Sequence, residues 1–103
     1  MFTSRHLKLN KPYILLNLSI TNEIGFNGPY KKATGILRDN SRPTGTITVT
    51  LPNQFAKFTK EMVQRINDYA RSGRHARYVV RSISSRSRLD GKGKYDLVDF
   101  SLE

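Results

Sequence analysis

The chain has 103 residues, a net charge of +10 from 18 Lys plus Arg against 8 Asp plus Glu, and no cysteine. That length allows one domain with a modest core, and the missing cysteine excludes a disulfide framework and thiolate metal sites. No run of about 18 apolar residues occurs and the N-terminus has no apolar signal region, so no membrane partner and a cytoplasmic location are expected.

Residues 1–12 read as a basic lead-in ending at Pro12, before a single domain over 13–103. From Tyr13 to Thr21 the chain alternates. Ile14, Leu16, Leu18 and Ile20 share one face, and Tyr13, Leu15, Asn17, Ser19 and Thr21 the other, which is the period of a half-buried strand. The next ten residues, NEIGFNGPYK, read as a loop, because Gly25, Asn27-Gly28 and Pro29 are turn formers around Phe26 and Tyr30. Lys32 to Arg38 reads as a second strand with Ala33, Gly35 and Leu37 on one face, Gly35 weakening it or marking a bend. A turn follows at residues 39–43. Thr44 to Leu51 is a β-branched third strand, with Ile47, Val49 and Leu51 opposite Thr46, Thr48 and Thr50.

Pro52-Asn53 stops that strand. Phe55, Phe58, Met62, Ile66 and Tyr69 then recur at helical spacing, widened by Val63 and Ala70, and are expected to plug a barrel end. The helix starts after Asn53 or, if shorter, after Thr59, both residues being good N-caps, and stops near Ser72-Gly73. A fourth strand begins near Arg77. Val80 and Ile83 cannot share a face under strict alternation, so a bulge near Arg81-Ser82 is predicted. Asp90-Gly91 signals a hairpin, and Tyr95 to Leu102 forms a fifth strand with Val98, Phe100 and Leu102 inward.

The fold class is therefore mostly β with one helix (α+β), in the order β-β-β-α-β-β. This is the element order of the five-stranded OB barrel. In element order, length and charge, residues 13–102 resemble the small OB-fold single-stranded DNA-binding proteins of phages and mobile elements. The resemblance implies a role in replication or recombination. It also implies a site between the loop after strand one and the loop after strand four. The expected strands two and three, KATGILR and TGTITVTL, lack the base-stacking aromatics common in such relatives. Stacking would have to come from Tyr13, Phe26, Tyr30, Tyr78 or Tyr95, or the threonine face would be covered in a homodimer.

The charge supports the same expectation. Residues 71–94 carry eight cations and one carboxylate, a concentration suited to a polyanion. The candidate interface is Phe26, Tyr30 and Tyr95 for stacking, with Lys31, Lys32, Arg77, Arg81, Arg86, Arg88, Lys92 and Lys94 on phosphates. Phe26 and Tyr30 either stack on bases or pack back on the core. The expected partner is single-stranded DNA or RNA, with no cofactor and no metal.

Catalytic chemistry has little to stand on. His6 and His75 have no acidic neighbour in sequence, and DGKGK lacks the spacing of a phosphate-binding loop. Asp90, Asp96, Asp99 and Glu103 form no two-metal pattern. The expectation is a non-enzyme. The alternatives are a small basic ribonuclease or toxin, and an adaptor docking on RNA or protein in a phage or ribosome-like assembly.

Overall fold

The computed structural model describes residues 2–26, 28–87, 91 and 93–103, with the side chains of residues 94 and 95 outside that description. The expected Asn27-Gly28 and Asp90-Gly91 turns therefore each have one member outside the described residues, Asn27 and Asp90. The strands are β1 (Phe2–Thr3), β2 (Tyr13–Gly25), β3 (Gly28–Arg38), β4 (Thr46–Thr50), β5 (Arg77–Ser87) and β6 (Lys94–Leu102), with one helix α1 (Lys60–Arg71) between β4 and β5. They form one curled sheet, a half-barrel ordered β1-β4-β3-β2-β5-β6. The class is α+β as expected, with six strands instead of five.

The extra strand comes from the N-terminus. Residues 2–7, expected within a loose lead-in, are part of the fold. Phe2 and Thr3 pair in parallel with Val49 and Thr50. A 3-10 turn over Ser4–His6 follows, capped by the Thr3 side chain and by His6 Nδ1, which accepts from the Thr3 N–H at 3.0 Å. Ser4 and Leu7 are buried. The sequence concealed this because the segment has no periodicity; it is fixed by single contacts.

Alternation in β2 breaks once. Leu15 pairs with Leu37 but Asn17 pairs with Ile36, so Leu16 is an extra residue. The inward set is therefore Tyr13 and Leu15, then Leu18 and Ile20, and the two faces predicted from the sequence are mixed. The bulge predicted in β5 is present: Val80 pairs with Phe100 and Ser82 with Asp99, leaving Arg81 over. It lets Tyr78, Val80 and Ile83 all face the core.

Gly35 sits in the middle of β3 between Leu18 and Val49. A Cβ there would come within 3.0 Å of Leu51 Cδ1 and 3.2 Å of Leu15 Cδ1, so the missing side chain is what lets those leucines meet. β4 starts at Thr46, two residues later than expected. Gly45 before it has φ +73° and closes a turn in which Asp39 N–H donates to the Gly45 carbonyl.

The helix is the shorter of the two alternatives. Thr59 caps it, its hydroxyl accepting from Met62 N–H at 3.2 Å. Residues 53–57 form a separate 3-10 turn that delivers Phe55 into the core. Phe55 stacks on Phe100 at 5.0 Å and meets Tyr78 edge-on at 5.8 Å. Truncating a phenylalanine so placed typically costs about 3–5 kcal/mol. The buried face of α1 is Val63, Ile66, Asn67 and Ala70, so of the expected plug Phe55 is buried, Phe58 and Ile66 half-buried, and Met62 and Tyr69 exposed.

Two β-ribbons extend from this body. The segment expected as a loop, 22–31, is mostly strand: β2 and β3 pair down to Gly25 and Gly28. Pro29 does not interrupt them. It lies opposite Ile24, a position whose backbone groups point out of the pair, so its missing N–H costs no ladder bond. The second ribbon is β5–β6. β2 and β5 are antiparallel and, among the described residues, pair only at Tyr13/Tyr78 and Ile14/Arg77, so the two ribbons leave this joint in opposite senses. The radius of gyration is 14.2 Å, against about 13 Å for a compact chain of this length.

Candidate nucleic-acid interface

The register of β2, β3 and β4 sorts the first ribbon into two faces. Leu18, Ile20, Ala33, Leu37, Ile47 and Val49 face the core. The residues between them face solvent: Tyr30, Lys32, Thr34, Ile36 and Arg38 follow one another on β3 at alternate positions. Thr46 and Thr48 flank this file on β4, and Ser19, Thr21 and Glu23 flank it on β2. From Tyr30 to Arg38 there are eight steps of antiparallel strand, about 27 Å.

At its outer end the file meets the ribbon tip. Phe26 is wholly exposed and Tyr30 half exposed, so neither packs back on the core. The Tyr30 ring lies over Gly25; a Cβ on Gly25 would come 2.9 Å from its Cε1. Glycine here makes room for an aromatic ring on a surface. Glu23 is directly opposite Tyr30 and accepts from the Thr21 hydroxyl at 3.1 Å. At the inner end, Arg38 lies one register step beyond the Leu37/Leu15 pair, beside Ile14, whose partner on β5 is Arg77. Arg38 and Arg77 thus flank Ile14 on the solvent face.

Tyr30, Lys32 and Arg77 of the expected residues therefore share a face, with Phe26 at the tip. Lys31 points to the other side, among Ile20, Asn22 and α1. Arg38 was not among the expected residues, because it stands alone in sequence, outside the cation-rich segment 71–94. Counting every second residue from Tyr30 finds it.

The second ribbon is less uniform than its composition suggests. Arg77 and Arg86 are exposed, but Val79 between them is buried. Arg81 is held by Glu103 at 2.9 Å and faces Asn10 Oδ1 at 3.4 Å. Arg71, also in the basic segment, lies 3.5 Å from Asp68. Asp99 is exposed opposite Ser82. Arg88 and Lys92 lie outside the described residues, as do the side chains of Lys94 and Tyr95; their backbones pair with Ser87 and Arg86.

Among the described residues four groups are perturbed. Asp96 is held below the usual carboxylate range, first by hydrogen bonding to Arg5 (2.6 and 2.7 Å), and Arg5 is raised in return. Asp39 is lowered by hydrogen bonds from the Ser41 hydroxyl and N–H. Burial pushes the Tyr78 phenol up to about 12, and the hydrogen bond it shares with the Ser4 hydroxyl acts against that rise. None of these groups lies on the file. Among the described residues no group of three or more His, Asp or Glu is placed to hold a metal ion, and no helix is long and apolar enough to cross a membrane.

Comparison with protein-family models, with curated proteins and with solved structures gave no significant match.

Proposed function

We propose that this protein is a non-catalytic single-stranded nucleic-acid-binding protein, and that the solvent face of β3 is its principal contact. The supporting observation is the file Tyr30, Lys32, Thr34, Ile36, Arg38, which runs from an exposed aromatic tip to a pair of arginines. Phosphates would meet Lys32, Arg38 and Arg77, and Arg86 further along. Bases would stack on Tyr30 and Phe26. Threonine hydroxyls beside the file offer donors and acceptors that any sequence can use. The length of about 27 Å corresponds to about eight nucleotides at the 3.4 Å rise of a stacked strand, and fewer if extended. That is within the usual 4–16 nucleotides per barrel.

The proposal predicts weak sequence preference and strong salt dependence. Four cations on four phosphates give a slope of log K against log salt of about −2.8. Titration of fluorescent oligo-dT and oligo-U over a salt series measures this and ranks DNA against RNA. No binding at low salt would sink the proposal. Cleavage of the RNA would favour the ribonuclease alternative, and a strong preference for duplex would move the contact elsewhere.

A further inference from the structure

A second surface lies on the other side of the first ribbon. The β5 strand leaves β2 after Ile14, with one more bond from Leu15 N–H to the Ala76 carbonyl. The exposed edge of β2 is then met by Asn67 of α1. Its Oδ1 accepts from Leu18 N–H at 2.8 Å and its Nδ2 donates to the Leu18 carbonyl at 2.9 Å. One carboxamide thus supplies what a neighbouring strand would have supplied. From Leu18 the outward direction repeats every second residue, so Ile20, Asn22 and Ile24 point their N–H and C=O groups away from β3. Among the described residues nothing hydrogen-bonds them on that side.

A groove of about 370 Å³ runs beside this edge. Ile20, Phe58 and Val63 give it apolar walls; Lys31, Lys60 and Arg71 stand around it, and its lining contains no carboxylate. Ile24, which faces the same way as Ile20, is almost fully exposed. Unpaired edges attract other strands, and folded proteins usually block them. This one is blocked at Leu18 and left open after it.

We propose that the Ile20–Ile24 edge is a strand-addition site for an extended acidic segment of a partner protein. Main-chain pairing would follow the row of free N–H and C=O groups, which matches a peptide backbone and not a phosphodiester. Apolar side chains at alternate positions would meet Ile20, Phe58 and Val63. The acidic ones would meet Lys31 and Lys60. A second copy of this chain is disfavoured as occupant by its own charge of +10.

The test uses the whole protein and a fluorescein-labelled eight-residue peptide alternating aspartate with leucine. Binding is followed by anisotropy, and amide exchange by NMR. The peptide should protect the Ile20, Asn22 and Ile24 amides. Asn22→Pro removes a donor on the open side without touching the β2–β3 ladder, and Lys60→Glu reverses one groove charge. Each should weaken the peptide about tenfold or more, which is about 1.4 kcal/mol, while oligo-dT binding stays within about twofold. N-methylation of the peptide on alternate nitrogens, made in both registers, should abolish binding in one register only. The proposal is overturned if the peptide leaves those amides unprotected, or if both methylated peptides bind as well as the parent. It is also overturned if oligo-dT protects the edge, or if rising protein concentration alone does so, since the occupant would then be nucleic acid or a second copy.

Discussion

The Ser4 hydroxyl and the Tyr78 hydroxyl meet at 2.7 Å, both inside the protein, and so tie the N-terminal turn to the start of β5. Each satisfies the other where water cannot.

Ser4→Ala should therefore cost about 1–3 kcal/mol, because it strands the Tyr78 phenol without a partner. At about 4–8 °C per kcal/mol the loss is plain in a melting curve. Adding Tyr78→Phe to Ser4→Ala should restore much of it, since neither polar group is then left buried alone. A double mutant no more stable than Ser4→Ala would show that the pair does not matter.

Tyr78 also makes stability depend on alkaline pH. Its pKa is about 12 in the folded protein and about 10 when unfolded. The neutral phenol is the form the fold prefers, so its contribution is complete below pH 10 and disappears as pH rises towards 12. The difference in unfolding free energy between the protein and Tyr78→Phe should be level from pH 7 to 9 and shrink above 10.

Arg5 and Asp96 give the opposite dependence at the acid end. Arg5 grips both oxygens of Asp96 and reaches Ser85 as well. The Asp96 carboxyl is held below its ordinary value, so its contribution is present above an unfolded pKa of about 3.9 and is lost as pH falls through the folded one. Asp96→Asn should lower the urea midpoint at pH 7 and leave it unchanged below both pKa values. The pair is exposed, so 1 M salt should reduce the difference at pH 7.

Gly35→Ala probes the closest approach in the core. The added methyl meets Leu51 and Leu15, both buried, so overpacking should cost about 1–3 kcal/mol. Gly25→Ala is the surface counterpart. Its methyl is crowded by the half-exposed Tyr30 ring, which can turn away, and meets the Gly28 carbonyl at an ordinary 3.8 Å, so stability should hold while oligonucleotide affinity falls. Unchanged affinity would detach Tyr30 from binding.

Binding itself should separate into two kinds of residue. Tyr30→Ala and Phe26→Ala should each lower affinity by about 1–3 kcal/mol with the salt slope unchanged. Lys32→Ala and Arg38→Ala should each flatten the slope by about 0.7. Glu23→Gln should tighten binding, since it removes a negative charge opposite Tyr30. Replacing Arg86, Arg88, Lys92 and Lys94 together tests whether the second ribbon shares the load of phosphate contacts.

What could be read from the sequence depended on whether a local pattern was broken visibly. The Arg81 bulge was legible because Val80 and Ile83 are both apolar and three apart. The Leu16 bulge was not, because Ile14, Leu16, Leu18 and Ile20 alternate without a flaw, and only pairing with β3 reveals the extra residue. Gly25, Gly28 and Pro29 read as a loop because turn formers say nothing about which way a backbone group points. Ser4 and Arg5 act through partners 74 and 91 residues away, Tyr78 and Asp96, a separation no window detects. The composition signal at residues 71–94 was real, yet pairing with Glu103 and Asp68 removes part of it from use.

The joint between the ribbons has a mechanical consequence. Among the described residues β2 and β5 pair only at Tyr13/Tyr78 and Ile14/Arg77, with one further bond from Leu15 N–H to the Ala76 carbonyl beside them. Tension applied outward along both ribbons would load those bonds in shear, all together, and not peel them one by one. The Tyr78 ring beneath them is wedged against Phe55 and Phe100, so slippage would have to drag an aromatic cluster through the core. A strand pulled taut across the two ribbons would therefore meet a stiff beam with its fulcrum at Tyr78.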